Sequence, residues 1–177
     1  MPVDRRALGR FALGALLAPA LPRAAAAADG PPLVLEDFFT GRTRGEGLFE
    51  SDLAGVRRPF TVDTVGTFDG RTLILTEYIA YADGQKETAV WRFDKTGPAT
   101  YDGQRSRVAG VVPVRAEGGV VRMGYVAEVT GTDGKPLKLR FEDTLRLIDE
   151  TTLLNTAAVR FLGLTVGKVE VTFLKRR

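Results

Sequence analysis

The sequence predicts an all-β fold: an antiparallel up-and-down barrel of eight to ten strands, preceded by a cleavable export signal. Three observations carry this reading. Turn pairs recur at near-even spacing: Ala54-Gly55, Asp69-Gly70, Asp83-Gly84, Asp102-Gly103, Gly118-Gly119, Asp133-Gly134 and Asp149-Glu150. Asp-Gly and Gly-Gly supply the positive φ angles that tight hairpins need. The segments between these pairs alternate and are rich in β-branched and aromatic residues, the composition of half-buried strands. The third observation is an N-terminal stretch of a different character.

That stretch, residues 1–28, is read as the export signal. It has an arginine pair (Arg5, Arg6), an apolar run from Phe11 to Leu21, then an alanine tract before Asp29-Gly30. This is the order of a basic n-region, an apolar h-region and a small-residue cleavage zone. The apolar run is about half the roughly 20 residues that a membrane-spanning helix needs, so no stable span is expected. The paired arginines and the weakly hydrophobic core favour twin-arginine over general secretory routing, although Asp4 stands where Ser or Thr is usual. Cleavage near Ala26 to Ala28 would release residues 29–177, one barrel domain, into the periplasm.

Removing residues 1–28 leaves 21 basic and 21 acidic residues. The pI near 9.4 therefore belongs largely to the signal, and nothing argues for nucleic-acid binding, which needs a basic surface. With no cysteine, no disulfide holds the fold, and a hydrophobic core must do so.

The elements follow in order. "TGRTRGEG" (Thr40 to Gly47) is read as a turn or the start of a strand rather than a phosphate-binding loop, because no helix follows it. "RPFTVDTVGTF", "LILTEYIAY", "AVWRF", "VVRMGYVAEV", "LKLRFEDTLRL" and "VEVTF" read as strands. "NTAAVRFLGL" (Asn155 to Leu164) is read as a strand or one short helical turn, and no segment carries a 3.6-residue apolar stripe. Consecutive strands joined by short hairpins pair as an antiparallel meander. Strands of about ten residues suit a closed barrel, which also removes exposed edges; a sandwich is the alternative.

Counting alternate positions assigns an interior face of Phe60, Val62, Leu73, Leu75, Trp91, Phe93, Met123, Leu139, Phe141, Leu145, Leu147, Val169, Val171 and Phe173. Arg92, Arg122, Lys138, Arg140, Glu142 and Arg146 fall on the solvated face. The same count places Glu77, Tyr125, Asp143 and Asn155 in apolar rows, where an isolated charge would cost several kcal/mol. These four, with Tyr81 and Trp91, are the candidate ligand-binding residues. Either they form an internal network that fixes register, or they line a cavity and orient the polar end of a bound molecule.

The absence of histidine and cysteine removes the usual zinc, copper, haem and iron–sulfur ligand sets, and with them Ser–His–Asp and Cys–His catalysis. No metal, cofactor or catalytic residue is assigned. An enzyme built from this chain would work with carboxylates and tyrosines.

The chain also resembles the bacterial domain of unknown function family 3833. The resemblance lies in "FFTGRTRGEGLFE", "RRPFTVDTVGTFDGRTLILTEYIAYADG", Trp91, "YDG" (Tyr101 to Gly103), "FEDTLRLID", Asn155 and "VGKV" (Val166 to Val169). It departs at Glu142, where the family tends to have Asp, at Thr144-Leu145, where Trp-Met is common, and at Thr156, where Arg usually follows the Asn. The resemblance implies a small lipocalin-type (calycin-like) barrel of the cell envelope and no known activity.

Three functions stay open on the sequence. The leading one is a periplasmic barrel holding a small hydrophobic, amphipathic or lipid-like molecule. The others are an envelope scaffold or assembly partner, whose protein partner the sequence does not identify, and a carboxylate-based cyclase or isomerase.

Overall fold

A computed structural model describes residues 32–131 and 134–176; the stretch read from the sequence as an export signal, residues 1–28, lies outside them. A short helix, α1 (Leu35–Phe39), leads into ten strands. These are β1 (Gly41–Ser51), β2 (Val56–Phe68), β3 (Thr72–Tyr81), β4 (Lys86–Gly97), β5 (Thr100–Arg105), β6 (Val112–Glu117), β7 (Val120–Thr130), β8 (Pro136–Leu147), β9 (Thr152–Phe161) and β10 (Leu164–Arg176). Each strand pairs antiparallel with its sequence neighbour, and β10 returns to pair with β1 from Arg42↔Arg176 to Glu50↔Lys168. The barrel is therefore closed, and no strand is left with an open edge.

The period-two pattern decides which residues face inward. Leu73, Leu153, Val114, Val121 and Val159 are wholly buried. All but Val159 pack with Leu75, Trp91, Phe93, Leu145, Leu147, Val171 and Phe173 into one cluster, against which Phe60, Met123 and Val169 lie half-buried. Fully burying one such side chain stabilises the fold by about 1.5–3 kcal/mol. Arg92, Arg122, Lys138, Arg140 and Arg146 are exposed as expected. Glu142 is half-buried, held between Arg140 and Arg160 at 3.2 Å each.

Two turns depart from the sequence reading. Asp102-Gly103 lies inside β5, and the β4–β5 reversal is made by Pro98-Ala99. Gly103 faces inward, where a Cβ would meet the Val112 carbonyl at 3.2 Å and the Phe93 ring at 3.3 Å; it is glycine because of packing. In "NTAAVRFLGL" a two-residue hairpin at Leu162-Gly163 joins β9 to β10, with Phe161 opposite Leu164. Both hairpin residues have positive φ, 48° and 83°. This is the turn geometry that favours Asn-Gly, and a leucine there carries a steric cost of about 1–2 kcal/mol. "TGRTRGEG" is β1 itself from Gly41 onward.

The helix α1 was not expected: five residues are too few to show a helical period. Its Leu35, Phe38 and Phe39 are buried, and it packs over β2 and β3. The Phe39 ring meets Phe173 edge-on at 5.6 Å. Gly66 admits this contact, since a Cβ there would lie 2.0 Å from the Phe39 carbonyl oxygen. The helix closes one end of the barrel. Within that plug, buried Glu36 accepts a bond from the Tyr101 hydroxyl at 2.6 Å and one from Lys95, which hold its carboxyl below its ordinary pKa against the effect of burial.

Candidate functional site

The two halves of the barrel are filled differently. Toward α1 the large side chains meet across the axis. Toward the opposite end, where the β1–β2, β7–β8 and β9–β10 turns lie, the rows carry smaller residues such as Ala127 and Ala157 and leave a cavity of about 540 Å3. Its walls are apolar, formed by Phe60, Ile79, Leu139, Phe141, Val129 and Val169. The size lies within the range of small-molecule sites.

The inner end of this cavity is polar. Asp143 and Asn155 come from β8 and β9, Tyr125 from β7 and Arg105 from the last position of β5. Register brings them together: Asp143 stands opposite Met123 and Ala157, Asn155 opposite Leu145, and Arg105 opposite Trp91. Asn155 Nδ2 donates to Asp143 Oδ1 at 2.7 Å. Arg105 Nη2 lies 3.5 Å from Glu77 Oε2. Beneath this layer Trp91 stacks on Phe93 at 5.0 Å and meets Tyr125 edge-on at 5.2 Å. The Arg105 guanidinium lies 5.7 Å from the Trp91 ring centre, so the indole forms a base for the charged layer.

Burial sets the electrostatics. It pushes the Asp143 carboxyl up to about 6, against the Asn155 and Tyr125 hydrogen bonds and the Arg105 charge that lower it. Burial also raises Glu77; the Arg105 charge opposes the rise and the Asp143 charge adds to it. Tyr125 is raised well above its ordinary value, first by burial and then by the Asp143 charge. The layer thus holds one fixed cation and two carboxyls that resist ionisation.

Hydrogen bonding in this layer is incomplete. Arg105 Nε, Asp143 Oδ2 and Asn155 Oδ1 are buried and have no hydrogen-bond partner within the protein. An unpartnered buried polar atom costs about 1–3 kcal/mol, and here three of them belong to residues lining one cavity.

Of the six residues singled out from the sequence, Tyr81, Tyr125, Asp143 and Asn155 line the cavity. Tyr81 stands at its outer part, with the Arg58 guanidinium 3.8 Å above its ring. Glu77 meets the site through Arg105, and Trp91 sits below it, 3% exposed. Arg105, Arg58 and Glu87 also belong to the lining and were not anticipated. Arg105 lies in the same alternating row as Tyr101 and Gly103, but reading Asp102-Gly103 as a turn hid that row. Among the described residues no group of three or more carboxylates is placed to hold a metal ion, and no helix is long and apolar enough to cross a membrane.

Fold and site together define a closed, ten-stranded, lipocalin-like barrel, plugged at one end and hollow at the other. The sequence matches the family described as Protein of unknown function (DUF3833) over residues 18–175, and the chain belongs to that family. Solved structures similar to it include the S-type phycobiliprotein lyase CPES from Guillardia theta. That protein is 11% identical with a TM-score of 0.58, the match covering 82% of this chain and 94% of that one. Rv2717c from M. tuberculosis is 15% identical with a TM-score of 0.53, covering 78% and 93%. At these identities the likeness is one of fold. No curated protein matches the sequence.

Proposed function

We propose that the protein is an exported, periplasmic barrel that binds one small amphipathic molecule, polar head inward and apolar body toward the open end. The observation that carries this is the set of unpartnered atoms on the inner end of an apolar-walled cavity. Arg105 Nε needs an acceptor; Asn155 Oδ1 needs a donor, as does Asp143 Oδ2 when ionised. A primary amide, with two N–H donors and a carbonyl acceptor, supplies all three, and a hydroxyl does so when Asp143 is protonated and itself donates. A bare carboxylate satisfies only the arginine and is repelled by Glu77 and Asp143 once these ionise. Apolar walls of 540 Å3 scale suit a body of a few hundred daltons.

Native mass spectrometry of protein recovered from the periplasm tests this directly. The expected result is a non-covalent adduct of a few hundred daltons that organic extraction removes. Glu77→Gln, which loosens the hold on Arg105, should still fold, at some cost in stability, and lose the adduct. Protein that carries no adduct, and takes up none from a total lipid extract, would overturn the reading. If Glu77→Gln loses stability and keeps its adduct, Glu77 belongs to a purely structural network. N-terminal sequencing of the recovered protein tests the export part: a chain beginning at Pro2 would contradict it.

A further inference from the structure

Around the mouth of the barrel the apolar side chains turn outward. Leu53 in the β1–β2 turn is 80% exposed, Leu162 in the β9–β10 turn 87%, and Leu164 beside it 69%. Phe161, which opposes Leu164, and Leu137 at the start of β8 are also exposed. Because β10 pairs with both β1 and β9, and β9 with β8, these residues form one continuous arc. The β3–β4 turn elsewhere on the rim is polar, with Asp83 bonded to Arg58 at 2.7 Å.

Leu162 has no role in the fold that accounts for it. Its backbone is left-handed, its side chain is in water, and asparagine would suit the turn better. Leu53, Leu137 and Phe161 also line the cavity, so the apolar wall of the interior runs out onto the arc without a break. Each turn presents one or two projecting side chains, a shape that suits a deformable apolar layer.

Charge beside the arc selects the kind of layer. Glu50 is shared by Arg57 and Lys168, and Glu142 by Arg140 and Arg160. Asp52 and Glu170 also act on Lys168, so the first cluster has no positive excess; the second carries one excess positive charge, on strands that lead directly into the exposed turns. Arg160 of the second cluster is two residues from Leu162, about 7 Å of extended chain. With the leucine tips in the acyl boundary, this cluster reaches the level of the head groups.

We propose that this apolar arc docks the mouth of the barrel onto an anionic lipid surface, where leucines enter the acyl boundary and the Arg140 and Arg160 pair meets lipid phosphates. The cavity then opens onto the layer, and an amphipathic molecule passes between them without crossing water. The docking rests on the rim alone and stands whatever occupies the cavity.

Co-sedimentation with vesicles tests it, using residues 29–177, since the closed barrel and its core lie within the described residues. The vesicles are phosphatidylethanolamine with phosphatidylglycerol, and phosphatidylcholine alone as the uncharged comparison. The protein should bind the anionic vesicles more tightly, and added salt should weaken that binding. Leu162→Asn should lower the partition about tenfold, because one leucine side chain leaves the acyl boundary. Its thermal midpoint should be unchanged or higher, since Asn-Gly suits the turn. Absence of binding to anionic vesicles, or equal binding by Leu162→Asn, would overturn the proposal. So would a concentration-dependent dimer that Leu162→Asn abolishes, which would make a second copy of the chain the partner.

Discussion

Replacing Asp143 by asparagine should stabilise the empty protein, and only above about pH 4. Asp143 is 5% exposed, and its carboxyl is pushed up to about 6, against about 3.9 in an unfolded chain. Between these values the folded state holds a proton that the unfolded state has released, so stability falls as pH rises through this window and levels off above it. A difference of about two units at about 1.4 kcal/mol each gives a loss of about 3 kcal/mol at neutral pH. Asparagine has the same shape and cannot ionise. It still accepts the Asn155 Nδ2 bond through its own carbonyl, so the substitution removes the charge and keeps the packing.

The two proteins should therefore be nearly equal at pH 4 and diverge through pH 6, with Asp143→Asn ahead by about 3 kcal/mol at pH 7. For a domain of this size that is a rise of about 6–12 °C in Tm. Carboxylates held below their ordinary pKa, such as Asp94 beside Arg92 and Asp69 beneath the Thr72 and Arg71 amides, make both proteins less stable in acid. They cancel in the difference. Circular-dichroism melts of extracted, ligand-free protein from pH 4 to pH 8 provide the measurement. A difference that does not vary with pH, or an Asp143→Asn protein that is the less stable at pH 8, would refute the electrostatic account of the inner layer.

Three further outcomes are expected. Arg105→Gln leaves Glu77 buried without its cation and should cost about 3–5 kcal/mol at neutral pH, whereas the Glu77→Gln/Arg105→Gln pair should recover much of this in denaturant melts. Tyr101→Phe removes the 2.6 Å bond to Glu36 Oε2 and should cost about 1–3 kcal/mol, measured the same way. Gly66→Ala would place a Cβ 2.0 Å from the Phe39 carbonyl. Faster exchange of the Phe38 and Thr40 amides, which bond to Val34 and Glu36, would report that α1 has lifted from the barrel.

The strand core was legible because one face of each strand is buried, so alternation in the sequence maps onto inside and outside. Leu73, Leu75, Trp91 and Phe93 could be assigned by counting alone. Asp102-Gly103 was not legible, since the pair has the same composition whether it turns the chain or makes room for a neighbouring ring. Pro98 was the better turn signal, because its ring fixes φ and removes a ladder donor. That one misplacement explains why Arg105 was missed while Glu77 was found. Glu77 stands within an uninterrupted apolar row, whereas the row of Arg105 was cut at Gly103. The plug was hidden for another reason: Leu35, Glu36, Phe38 and Phe39 form little more than one helical turn, and what buries them is the distant contact with Gly66 and Phe173.

The polar layer lies at the boundary between the filled and hollow halves of the barrel, and this position bears on its role. A network needed only to fix register would be better placed in the packed half, where each polar atom could be matched and water excluded. Thr43 and Thr64 show that arrangement, bonded to each other at 2.6 Å and almost wholly buried. The layer of Arg105, Asp143 and Asn155 differs in having bonds left over, and all three side chains line the cavity. Raised carboxyl pKa values fit the same division, since such groups shed their charge when the cavity is empty and regain it most readily against a donor. Stability given up at the inner end of a hollow half favours whatever molecule completes the bonds. On this argument the Asp143→Asn protein, more stable when empty, should also be the poorer binder.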